Sequence, residues 1–197
     1  MNYGEIKHNL ISLGFAEESD YEEYEELGYT YDAINRAISF LGGQFPYVST
    51  YEFEIDDSDT GPYEIDMGDR PGFLELSKDT PVLIEVEGKD VFTPFGAYEI
   101  KMERVLHINA DDNKGTFRVY YNRACTTIGP ETDDSFVPEL PLKVHHLIPL
   151  LAAYYLWMDD DIAKASTYFN MYEQESAVVI SKENAPRMRV NTEWRGM

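Results

Sequence analysis

The sequence predicts an α+β fold: a helical bundle made from both ends of the chain, an inserted β-rich barrel or sandwich module, and an extended C-terminal tail. Three observations predict it. Apolar residues recur every three or four positions in residues 1–46 and again in 139–183, the period of a helix packed on one face. Between them, in residues 47–138, the period falls to two and turn residues break the chain into short runs. Residues 184–197 carry no helical stripe.

The first helix rests on Ile6, Leu10 and Leu13 at i, i+4 and i+7, with Gly14 placed to end it. EESDYEEYEELG, residues 17–28, is dense in carboxylates that repel one another, and reads as a solvated connection or a polar helix end. A second helix follows, capped by Thr30 or Asp32. Ile34, Ala37, Ile38 and Leu41 form its apolar stripe, and Gly42 and Gly43 stop it.

In the middle, Tyr51, Phe53 and Ile55 alternate with Glu52 and Glu54, so one face of a strand is apolar. DDSDTGP is a turn and YEIDM repeats the alternation, which predicts a hairpin. VLIEVEGKDVF reads as strand, Glu-Gly turn, strand. AYEIKMERVLHIN reads as one long strand or two broken by a bulge; DDNKGT turns it and TFRVYY returns. Short strands so spaced belong to a small barrel or sandwich.

The last third centres on LPLKVHHLIPLLAAYYLWMDDDIAKASTYFNMYEQE, residues 140–175. The apolar run from Leu147 to Met158 is far shorter than the ~20 residues a membrane helix needs. It reads as a buried helix. Pro149 either opens it at the first turn or kinks a longer helix begun near Leu142. Asp160 or Asp161 caps a final helix, on which Ile162, Ala165, Phe169, Tyr172, Ser176 and Val179 form a packing seam. The candidate helix-packing core of this αα-hairpin is Leu147, Leu151, Tyr154, Tyr155, Ile162, Phe169 and Tyr172. The tail NAPRMRVNTEWRGM is the only basic segment of the chain.

Composition narrows the function. With 16 basic and 37 acidic residues the net charge is -21, and such a chain has no general basic surface for binding DNA. The charge either keeps the protein soluble or faces nucleic acid and repels it, as a pore wall or a DNA mimic would. The 15 tyrosines and 10 phenylalanines suit large protein contacts or a tyrosine-rich core. One cysteine, Cys125, excludes an internal disulfide and a cysteine-based zinc site, and fits a reducing compartment. MNYGEIKHNLISLGF lacks the cationic and long apolar regions of a signal peptide.

Enzyme constellations are missing from the sequence. There is no G-x-S-x-G, no P-loop and no H-E-x-x-H. His145 and His146 are adjacent and face apart, and the triple aspartate is read as a helix cap. DDSDTGP lacks the ligand spacing of a calcium loop. The expectation is a protein with no catalytic residue, no metal and no cofactor. A small enzyme or ligand-binding domain with a site hidden from sequence is the competing reading.

HHLIPLLAAYYLWMDDDIAKASTYFNMYEQE resembles the head-to-tail connector (adaptor) proteins of tailed bacteriophages, of the short-tailed-phage type. NYGEIKHNLISLGF and YDAINRAISFL are similar to the opening helices of such chains. The resemblance implies a structural virion protein in the neck between capsid and tail, made in the host cytoplasm. It implies a ring beneath the portal, usually of twelve copies, that joins capsid to tail and extends the DNA channel. The implied partners are the portal protein, a tail nozzle or tube protein, further copies of the chain, and passing genomic DNA held without specific contacts; no membrane is involved. In that setting Arg187, Met188, Arg189, Val190, Trp194 and Arg195 are the residues that dock on the portal or a neighbouring subunit. Other virion rings, such as stoppers and tail terminators, and an acidic DNA-mimic inhibitor are the alternatives.

Overall fold

The computed structural model describes residues 1–14, 28–78, 80–86, 89 and 91–184, with side chains through Ser181. Among them the fold is mixed α+β, with four α-helices and two antiparallel sheets. Helix α1 is Tyr3–Gly14, α2 Tyr29–Gln44, α3 Leu147–Trp157 and α4 Ile162–Asn184. The strands are β1 Tyr47–Ile55, β2 Pro62–Asp66, β3 Phe73–Leu76, β4 Val82–Glu85, β5 Phe92–Pro94, β6 Tyr98–Lys101, β7 Val105–Asn109 and β8 Gly115–Arg123.

Helix α1 starts with a capping box: Glu5 N–H donates to Asn2 Oδ1 at 2.8 Å and Asn2 N–H to Glu5 Oε2 at 2.9 Å. Its described part runs to Gly14, and the expected stop there lies at the edge of the described residues. Helix α2 departs from expectation at both ends. Its N-cap is Gly28, at φ 79°, with no side-chain cap from Thr30 or Asp32. The left-handed turn there suits glycine, and Thr30 is instead buried inside the first turn. The helix also runs through Gly42 and Gly43 to Gln44, because the buried stripe ending at Leu41 outweighs the modest cost of two glycines. The acidic stretch 17–28 lies outside the described residues except for Gly28.

The first sheet has the order β1-β8-β4-β5, with β3 also on β8. Strand β8 is its spine: all nine residues of β1 pair with it, from Tyr47↔Arg123 to Ile55↔Gly115. The second sheet has the order β2-β7-β6. Three strand expectations need correction. Strands β1 and β2 do not form a hairpin, since the DDSDTGP turn carries the chain from one sheet to the other. AYEIKMERVLHIN is neither one strand nor a bulged pair. It folds back as the β6–β7 hairpin, with Met102 and Glu103 both at positive φ. DDNKGT likewise hands the chain to the opposite sheet instead of pairing β7 with β8. The β4–β5 pair forms as read from VLIEVEGKDVF.

Two apolar clusters organise the molecule. Ile55, Ile65, Val82, Leu106, Ile108, Phe117 and Val119 come from both sheets and share one core. Ile6, Leu10, Ile34, Leu41, Leu147, Ile148, Leu151, Tyr172 and Val179 come from all four helices and share the other. Residues 124–141 tie the two together. Tyr3 N–H donates to Phe136 O at 2.7 Å, and Lys7 Nζ lies 2.7 Å from Asp134. Arg123 Nη2 reaches both oxygens of Glu139 at 3.0 Å, and Thr126 donates to the same carboxylate through N–H and hydroxyl. Among the described residues no helix is long and apolar enough to cross a membrane.

Candidate assembly surface

The αα-hairpin forms where the sequence places it. Helix α3 opens at Leu147, so Pro149 sits in its first turn, and Leu142–Val144 is a separate 3₁₀ turn. Of the two candidate caps Asp161 is the one used: its Oδ1 accepts from Ala163 N–H and Lys164 N–H, both at 3.0 Å. The hairpin corner is therefore an Asx-capped helix start.

The expected packing residues fall into three groups. Leu147, Leu151 and Tyr172 are buried. Tyr154, Tyr155 and Phe169 are half-buried and make an aromatic ladder on the hairpin's flank. Its ring centroids are 5.1 Å apart for Tyr154–Tyr155, 5.0 Å for Tyr154–Phe169 and 5.8 Å for Phe169–Tyr172, with Phe40 of α2 edge-on to Tyr172 at 6.0 Å. Ile162 is a correction: it is 74% exposed. As the first residue of α4 it lies beyond the end of α3, so no partner helix covers it, and the seam begins at Ala165. The docking residues Arg187, Met188, Arg189, Val190, Trp194 and Arg195 lie outside the described residues.

Cations of the described chain are largely spent on the chain itself. Arg36 stacks on Tyr155 at 4.3 Å, Arg70 on Tyr51 at 4.2 Å and Lys164 on Trp157 at 3.7 Å. Arg118 is bonded to Glu52 and lies over Phe92, and Arg104 pairs with Asp66. Lys114 Nζ donates to the carbonyl oxygens of Asp56 and Asp59, so an ammonium occupies the acidic turn. The net charge of -21 leaves the protein acidic on balance.

Chemical groups are sparse. Burial pushes the Cys125 thiol up from its ordinary value, and the Glu139 carboxylate adds to the effect; its Sγ donates to Glu139 O at 3.0 Å. Burial likewise raises Tyr155, Tyr168 and Tyr172, and the Tyr172 hydroxyl donates to Gln44 Oε1 at 2.8 Å. His145 is buried with Nε2 donating to Leu140 O at 2.8 Å, whereas His146 is exposed near Glu175, so the two rings serve different faces. A cleft of about 330 Å³ lies between the start of α2 and the end of α3, lined by Asp32, Arg36, Tyr155, Asp159 and Asp160. Among the described residues no group of three or more His, Cys, Asp or Glu is placed to hold a metal ion.

What remains is surface fit for contact. Met171 and Val178 lie on one flank of α4, and Ile180 on another, all exposed. In the β region Met102 is 77% exposed on a turn of two non-glycine residues at positive φ, and Ile100 stands beside it. Sequence reading missed this turn, whose residues are not those that usually adopt such a conformation. Compared with protein-family models and with curated proteins, the sequence matches none.

Proposed function

We propose that this chain is a structural head-to-tail adaptor of a tailed bacteriophage, a helical bundle with an inserted sandwich module and a docking tail. It forms a ring beneath the portal that joins capsid to tail and extends the DNA channel. The observation that carries the reading is the α3–α4 hairpin with its Asp161 corner, whose residue pattern resembles that of such adaptors. Three further features support it. The exposed apolar residues on α4 offer heterologous contacts of the kind a ring needs. An acidic exterior lets DNA pass without adhering. The tail supplies Arg187, Arg189 and Arg195 for charge-assisted bonds and Met188, Val190 and Trp194 as anchors toward portal or neighbour.

The test is the mass of the purified protein alone and with the portal of the same virion. The reading expects mostly monomer alone and a many-copy complex on the portal. A tight dimer in both conditions contradicts it, because a closed two-fold contact leaves no face for a ring. Inhibition of a nuclease by the monomer, with no portal binding, would favour a DNA mimic.

A further inference from the structure

Strand β1 is an edge. Among the described residues it pairs with β8 on one side over its whole length and with nothing on the other. Nine residues of free edge, roughly 30 Å, are a template for another strand. Its inward residues Tyr51 and Phe53 are only half-buried, and at its start Tyr47 and Val48 are 36% and 47% exposed. Its outward face carries Val48, Thr50, Glu52 and Glu54.

The C-terminal sequence has the complementary pattern. From Arg187 to Trp194 it alternates strictly: Met188, Val190, Thr192 and Trp194 on one face, Arg187, Arg189, Asn191 and Glu193 on the other. Laid antiparallel to β1, one register sets both arginines against glutamates, one of them Glu52 already bonded to Arg118, and the apolar residues against the aromatic face, with Glu193 opposite Val48. Arg187 falls opposite Glu54 and Arg189 opposite Glu52. Met188 meets Phe53, Val190 meets Tyr51, and Trp194 meets Tyr47. A shift by one residue would put the arginines over the aromatic face.

We propose that residues 187–194 of one copy add as an antiparallel strand to the free edge of β1 in a neighbouring copy. The proposal rests on the ring reading for its neighbour and names the contact that links subunits. Reach favours a neighbour over the chain's own tail. Val179 is the last residue of α4 in the helical cluster. Five more helical residues and three fully extended residues to Arg187 would reach at most about 18 Å from there. Strand β1, which begins three residues after α2 ends at Gln44, runs about 24 Å from Tyr47 to Glu54, where the added strand must begin.

Cysteine trapping in the full chain tests this, in a Cys125→Ser background that keeps a donor to Glu139 O. A Thr50→Cys copy is mixed with an Asn191→Cys copy and oxidised, free at raised concentration and on the portal. The expected result is a disulfide-linked pair of chains, with far less from Thr50→Cys mixed with Thr192→Cys. Glu54→Lys should lower the yield about five-fold, the scale of an exposed ion pair turned repulsive, and Arg187→Glu should restore it. No linked pair in either setting overturns the proposal. So does a double variant that closes within one chain. A portal-bound ring without the link sinks the strand donation and leaves the adaptor reading standing; the link without portal binding does the reverse.

Discussion

The Asn35 side chain and the Ile128 backbone exchange two hydrogen bonds of 2.8 Å, Nδ2 donating to the carbonyl and Oδ1 accepting from the amide. One amide on α2 thus completes a bridge that fixes the connecting segment beyond the β region on the helices. Ile128 is itself buried and Asn35 half-buried, so the bridge is partly shielded from water. Asn35→Ala leaves both backbone groups without a partner and should cost about 1–3 kcal/mol, measured by denaturant unfolding. An unchanged midpoint would mean that the segment is not held here.

The hairpin gives a paired prediction. Leu151 is fully buried, so Leu151→Ala should cost about 2–5 kcal/mol. Ile162→Ser, at an exposed helix start, should stay within about 0.5 kcal/mol of the parent. If the two variants unfold alike, the division between packing face and contact face is wrong.

That division also marks what the sequence could reveal. Periodicity located all four described helices and most strands, because burial of one face is written in spacing: Ile34, Ala37, Ile38 and Leu41 are all buried. It could not tell which strands pair. The alternation in β1 and β2 is the same whether they face each other or stand in different sheets, and only the shared core of Ile55 and Ile65 decides. Ile162 fitted the helical stripe, but spacing does not say where the partner helix ends. The Asn2–Glu5 box was legible from residue types and was overlooked.

Cys125 should react slowly. Its raised pKa means little thiolate at neutral pH, and the rate should climb only above the ordinary thiol value of ~8.5. Alkylation of the folded protein across pH 7 to 10 measures this. A rate at pH 7 equal to that of an unfolded control would show an open thiol.

Chelation should leave the melting temperature unchanged. The acidic turn at Asp56–Asp59 is bound by the Lys114 ammonium, and Asp161 is committed to backbone amides. A drop with EDTA that Ca²⁺ or Mg²⁺ restores would show a metal site.

Imaging the purified chain bound to the portal of its virion decides whether it is an adaptor. The expected image is a closed ring of this chain beneath the portal, its α3–α4 hairpin in contact between subunits and an open channel on the axis. Particles in which the portal carries no added ring, at protein concentrations well above those of the portal, would contradict it.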